Sequence, residues 1–325
     1  MKRRTFIGTT VGIAGAGILG ANPVTGNSSG LINAEQTSGG GIVATDDGFV
    51  ISGQEITVDA GSPSYVVYND GYSGEITDNE LDVEAVPSSP TFGIRVDGGS
   101  VDVTENTVDG DDALAHQFLS IGYADGATGA VDSNTLNGGH RVGVLATGDG
   151  TDIDVLDNEI TGLGPKSDGW AENGVQLGGG ATARIRGNTV ADHWWDLDNF
   201  QSSGIILYQP GDSVNIQRNS IIDNDAGVAL WGGNRHNVIH NTIEVTEEDP
   251  GDNGVLHAGV FVLETTNSGV RQNTITAVDG DMGIALEPSA TNTKLIRNDI
   301  SGWASPIVDQ GEETKLPKPF DPDSA

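Results

Sequence analysis

The chain contains no cysteine, two methionines and only five lysines among its 325 residues. Without cysteine there is no disulfide framework, no thiolate metal site and no cysteine for lipid attachment. Positive charge is scarce: 15 Lys and Arg stand against 47 Asp and Glu, a formal net charge of −32. Three of the basic residues are Lys2, Arg3 and Arg4, so a chain that had lost its first residues would carry about −35 (32 plus 3). Such a surface repels nucleic acid and anionic membranes, and neither is an expected partner. The acids are spread along the whole chain, and with so little lysine they fit the solvated surface of a halophile's protein. Long apolar runs are missing too. The Gly/Ala-rich stretch from Gly8 to Ala21 is too short and too poor in Leu and Ile to span a bilayer, so no membrane insertion is expected.

What the chain does have is a recurrent phrase: an aliphatic residue, two others, Asn, one more, then a second aliphatic residue. Its asparagines are Asn79, Asn106, Asn134, Asn158, Asn188, Asn219, Asn241, Asn273 and Asn298, spaced 22 to 32 residues apart. No helix needs one polar residue at that beat, whereas a coil of β-strands returning to the same bend on every turn does. A second phrase precedes most of these: Gly93-Ile94-Arg95-Val96, Gly143-Val144-Leu145-Ala146, Gly174-Val175-Gln176-Leu177, Gly204-Ile205-Ile206-Leu207, Gly227-Val228-Ala229-Leu230, Gly259-Val260-Phe261-Val262 and Gly283-Ile284-Ala285-Leu286. Each predicts a short strand with alternate residues facing inward. One turn then holds a Gly-led first strand, a second strand ending near Asn, and a third just after it. A single turn cannot bury its own apolar face, so turns stack and share one core. The asparagines are expected to bond along the column and to take a left-handed bend themselves.

The first residues, Met1 to Ile7, resemble a twin-arginine export signal, which predicts a protein working outside the cytoplasm or at the cell surface. Residues 1–30 are then signal and linker, 31–308 one all-β coil of about nine to ten turns, and 309–325, with Lys-Pro-Lys-Pro and Asp-Pro-Asp, a disordered tail. The two phrases together resemble the repeat of the pectin-lyase-like superfamily, a single-stranded right-handed parallel β-helix with three parallel sheets. That resemblance implies a short list of activities, among them polysaccharide lyases, hydrolases, uronate epimerases and phage tailspikes, and does not choose between them. It also places a substrate cleft beside the first sheet.

Function is sought where the repeat is broken. The return from the third strand to the next Gly-led strand is long at Asp109 to Ser120, Thr161 to Asn173, Ala191 to Ser203 and Val245 to Ala258. These segments share one slot in the repeat and are expected to form a wall beside the first sheet. The wall would carry Trp170, Trp194 and Trp195. Alternation points Gln176, Tyr208, Trp231, Phe261 and Glu287 outward from the sheet, with Glu264 just beyond its strand. The expected function is an aromatic-lined groove that binds a polysaccharide, rings stacking on sugar faces and carboxylates holding hydroxyls. Polysaccharide cleavage by a hydrolase or lyase is the catalytic extension. Glycoside hydrolysis needs two carboxyls, for which Asp196 and Asp198 facing Glu264 or Glu287 are candidates, with His193 as an assisting acid or base. Calcium is the one cofactor the loop carboxylates could hold, through oxygen ligands. The alternatives are that the aromatics lie buried under the loops as a satellite core, and that the coil is a non-catalytic surface or structural protein.

Overall fold

The computed structural model describes residues 30–37, 40–58, 65–83, 91–110, 118–167, 170–197, 201–246 and 257–316. It is a right-handed parallel β-helix whose turns run through three faces, and in the last two turns one strand, Thr274–Leu286 or Asp299–Asp309, serves both the third face and the first. A representative turn runs Val142–Thr147 in the first sheet, Asp152–Leu156 in the second and Glu159–Lys166 in the third. The next repeats it with Asn173–Gly178, Thr182–Arg186 and Thr189–Trp195. Successive turns pair in parallel and in register, so that Val155, Ile185, Ile216 and Val238 lie side by side. The early pieces join the same coil: Phe49–Ser52 in the second sheet, Glu55–Val58 in the third and Tyr65–Asp70 in the first. At the N-terminal end Leu31–Ile32 and Ala34–Gln36 pair antiparallel with Phe49–Ser52 and Ile42–Ala44. At the other end, bridges at Glu312 and Lys315 carry the pairing past Val308, further than the sequence predicts.

The core is the inside of the coil. The aliphatic residues three before each Asn, Ile76 through Val270, are fully buried, and so are those two after it from Leu81 through Ile275. Each contributes about 1.5–3 kcal/mol of transfer free energy. Between them runs the amide ladder. Asn158 Nδ2 donates to Asn188 Oδ1 at 2.9 Å, Asn188 Nδ2 to Asn219 Oδ1 at 3.0 Å, and Asn219 Nδ2 to Asn241 Oδ1 at 2.9 Å. Each Oδ1 also accepts the backbone N–H of the preceding rung, and each Nδ2 also reaches a strand carbonyl. The ladder begins one turn earlier than the asparagines do, because Gln54 N donates to Asn79 Oδ1 at 3.0 Å. The left-handed bend falls not on Asn but on the residue before it: Asp78, Glu105, Ser133, Asp157, Arg218, His240, Gln272 and Arg297 have φ between 50° and 58°. At two rungs that place belongs to Gly53 and Gly187. Asn fixes the bend by bonding across it, and its neighbour adopts the unusual φ.

The Gly-led phrase has a different cause. None of the seven glycines has a positive φ among those recorded. A Cβ on Gly227 would lie 2.4 Å from Ile243 Cγ2 and 2.7 Å from Gly259 O. Gly174, Gly204, Gly259 and Gly283 meet the same pair, a branched side chain of the third sheet and the carbonyl of the next turn. Glycine is required here because the third sheet packs directly against the first strand's backbone.

Candidate functional site

The outer face of the first sheet is ordered into columns by register. One column runs Tyr68, Arg95, Gly122, Leu145, Gln176, Ile206, Ala229, Phe261, Ala285. A parallel column two residues further along the strands runs Thr147, Gly178, Tyr208, Trp231, Leu263. Tyr208 and Trp231 are therefore direct neighbours, and Phe261 stands in the adjoining column. The three belong to successive turns, but they form a staggered patch and not the straight strip that alternation alone predicts.

Much of this outer face is covered. Phe92, Leu119, Val142 and Leu145, with Tyr65, form one buried satellite cluster, and Ile206, Ala226 and Ala229 form a second with Tyr208 at its edge. Of the aromatics expected along this sheet, only Tyr208 adjoins either cluster. Beside these clusters, Gln176, Tyr208, Trp231, Phe261 and Glu287 are half-buried and Glu264 is exposed. The Tyr208 and Trp231 rings meet edge to face, centroids 4.9 Å apart at 89°. Trp231 Nε1 donates to Glu264 Oε2 at 3.1 Å, which fixes the indole and sets a carboxylate at its rim. Towards the middle of the coil, the Arg141 guanidinium lies 4.8 Å from the centre of the half-buried Trp170 ring, a favourable cation–π geometry. Asn173 Nδ2 donates to Gln176 Oε1 at 3.3 Å. At the N-terminal end Tyr65 stacks on Tyr68 at 4.6 Å, and Arg95 forms an ion pair with Asp97 at 2.5 Å. Burial, with Asp97 and Asp70 nearby, pushes the Tyr68 phenol up to about 12, so it stays protonated.

Three sequence expectations change. His193, Trp194 and Trp195 are not loop residues lining a groove. The strand Thr189–Trp195 continues past the corner, pairing His193, Trp194 and Trp195 with Gly164, Pro165 and Lys166 beyond a bulge. Trp194 and Trp195 are 3% and 1% exposed. Trp194 packs in the main core and meets His257 edge-on, not in a wall beside the first sheet. His193 is wholly buried, so it meets no solvent-borne substrate. Asp196 is exposed just after this strand, and Asp198 lies outside the described residues, as do Asp111, Asp112, Glu247 and Glu248. Among the described residues no three His, Asp or Glu side chains gather to hold a metal ion. Among the described residues no helix is long and apolar enough to cross a membrane.

Sequence reasoning missed a buried polar corner between the third and first sheets. Asn224 Nδ2 donates to Ile222 O and Val190 O, which leaves its Oδ1 for His193 N at 3.1 Å and His193 Nδ1 at 2.9 Å. His193 Nδ1 therefore carries hydrogen, and its Nε2 accepts from His140 Nε2 at 3.1 Å. Next to it Asp225 Oδ2 accepts from Trp195 N at 3.0 Å and Ser202 N at 2.9 Å. Burial holds both imidazoles neutral: His140 is pushed down to about 3, helped by its neighbour His193, and His193 to about 4. The folded protein then binds fewer protons than the unfolded chain as pH falls from about 6.5 towards 3–4. Stability from this pair is present above about pH 6.5 and is lost through that window. In urea titrations across pH 7 to 4.5, His140→Gln is expected to lose less stability than the unmodified protein. An equal loss would assign the acid sensitivity to carboxylates alone.

The chain matches the family described as “Right handed beta helix region” over residues 119–300, more than half its length, and belongs to that family. Among solved structures it is similar to the mannuronan C-5 epimerase AlgE6 A-module of Azotobacter vinelandii, at 15% identity over 83% of this chain and 90% of that one, TM-score 0.46. It is similar also to the Dettilon tailspike protein, at 13% identity over 79% of this chain and 61% of that one, TM-score 0.45. A third is PfbA, a surface adhesin of Streptococcus pneumoniae, at 11% identity over 77% and 85%, TM-score 0.32. Likeness at this level concerns the coil and carries nothing about activity. No curated protein matches the chain by sequence.

Proposed function

We propose that this β-helix binds a polysaccharide across the outer face of its first sheet, with Tyr208, Trp231 and Phe261 as the sugar-stacking surface. The observation that carries this is the half-open Tyr208–Trp231 pair with the indole N–H held by the Glu264 carboxylate. An apolar ring face beside oriented carboxylate and amide oxygens matches a sugar, which has one apolar face and a rim of hydroxyls. Gln176, Glu264 and Glu287 supply the hydroxyl partners, and Trp170 extends the surface along the coil. The resemblance of Met1 to Ile7 to a twin-arginine export signal supports a binding role outside the cytoplasm or at the cell surface.

Trp231 should behave as an anchor, since large aromatic side chains dominate such contacts. In affinity electrophoresis against a panel of glycans at high salt, Trp231→Ala is expected to weaken retention about 10- to 30-fold, with unchanged melting. Absence of retention on any glycan by the unmodified protein would end the reading. The same panel, scored for reducing ends and for unsaturated products, tests cleavage. Asp196 and Glu264 are the described carboxylates proposed for it, and a product that survives both Asp196→Asn and Glu264→Gln would remove them from that role. His193, buried and neutral, stands away from this surface.

A further inference from the structure

The two ends of the coil are finished differently. At the N-terminal end the antiparallel strands cover the first rung, leaving Ile42 and Ala44 at 1% and 3% exposed. At the C-terminal end the strand Asp299–Asp309 pairs on one side only among the described residues, with Thr274–Leu286. The inward column of the first sheet shows the consequence. Ile94, Ile121, Val144, Val175, Ile205, Val228, Val260 and Ile284 are fully buried, whereas their continuation Ile307 is 41% exposed. Ile300 is likewise only partly buried where Ile275 above it is wholly so. The core therefore comes to the surface here, next to a row of strand N–H and C=O groups. Solenoids need such an end covered, and an open strand edge is a template for pairing with another chain.

Charge distinguishes the ends as well. No Lys or Arg occurs between Arg4 and Arg95, so among the described residues Glu35, Asp46, Asp47 and Glu55 at the N-terminal end have no basic residue before Arg95. The C-terminal end mixes Lys294, Arg297 and Lys315 with Asp299, Asp309, Glu312 and Glu313. In a chain of net charge −32 this is the one end of the coil where a second copy can approach without strong like-charge repulsion. A two-fold arrangement would set the cations of one copy against the acids of the other. The sequence after Leu316 has proline at 317, 319 and 322, which removes the donors a covering strand would need. From these observations we infer that the protein associates tail to tail: the Asp299–Asp309 strands of two copies pair antiparallel across a two-fold axis, burying Ile300 and Ile307. The N-terminal ends, already covered, stay outside, so the assembly closes as a dimer and does not grow into a filament.

The test is mass by sedimentation equilibrium over a hundredfold concentration range, on three proteins checked for unchanged circular dichroism. The unmodified protein is expected to reach twice the chain mass, which is 33.5 kDa for the full sequence. Ile307→Asp, at a position already exposed, is expected to remain a monomer throughout. A chain shortened after Leu316 is expected to dimerise as before. A monomeric unmodified protein would overturn the inference. So would a dimer unaffected by Ile307→Asp, a polymer longer than two, or a monomer that dimerises only when shortened, the last identifying the chain's own tail as the cover.

Discussion

Asn219→Ala is expected to lower the unfolding free energy by about 3–5 kcal/mol, because it strands buried groups on both sides of the rung. Asn219 Oδ1 accepts from Asn188 N and Asn188 Nδ2, each at 3.0 Å, and its Nδ2 donates to Asn241 Oδ1 at 2.9 Å and to Ile185 O at 3.1 Å. Alanine removes all four bonds and admits little water, since the position is 2% exposed. At about 1–3 kcal/mol for each polar group left unmet, two or three such groups account for the figure. The bend adds to it: Arg218, held at φ 55°, then keeps a left-handed conformation that costs about 1–2 kcal/mol without the bonds that over-determine it. Urea unfolding followed by circular dichroism measures the loss. A change below about 1 kcal/mol would mean that the ladder is decoration on a coil held by its aliphatic columns, within the range of an ordinary surface substitution.

Gly227→Ala is the second large effect, and its origin is steric. The added methyl would stand 2.4 Å from Ile243 Cγ2 and 2.7 Å from the Gly259 carbonyl. The isoleucine can yield by a rotamer change, but the carbonyl belongs to the next turn's strand and moves only if the sheet register does. Overpacking of this kind costs about 1–3 kcal/mol. The upper end applies here because one of the clashing atoms is backbone. The diagnostic control is Ile243→Ala in the same background: relieving only the side-chain clash should recover nothing, since it adds a cavity and leaves the carbonyl contact in place. Recovery in the double variant would place the whole clash on Ile243.

The coil was legible because its determinants recur: one amide per turn and two aliphatic residues at fixed distance from it. Gln54 escapes the pattern because the bond that makes it a rung comes from its backbone N–H, which donates to Asn79 Oδ1, while its side-chain Nε2 donates to Ser52 O. The assignment of the left-handed bend to Asn was displaced by one residue, since a sequence of Asp-Asn, Arg-Asn and His-Asn pairs does not say which member bends. The Gly-led phrase was visible, yet its cause lies in the third sheet, sixteen residues further on for Gly227 and Ile243 (243 minus 227). The candidate site was less legible. His193-Trp194-Trp195 sits among aspartates within the long return from Ala191 to Ser203, where the repeat predicts no strand. A parallel strand can continue around a corner through a bulge and bury consecutive residues, as the pairing with Gly164, Pro165 and Lys166 does here. Tyr208 and Trp231 were found because turn spacing brings them together. Glu264, 33 residues from Trp231, joins them through the next turn of the coil.

The ladder is structural, and the proposed binding surface faces outward from the first sheet. The most direct test measures melting and glycan retention side by side on Asn219→Ala and Trp231→Ala, with retention read well below both melting points. This separation predicts a crossed result: Asn219→Ala melts lower and retains glycan as the unmodified protein does, while Trp231→Ala melts normally and loses retention. Loss of retention in Asn219→Ala with melting unchanged would contradict it.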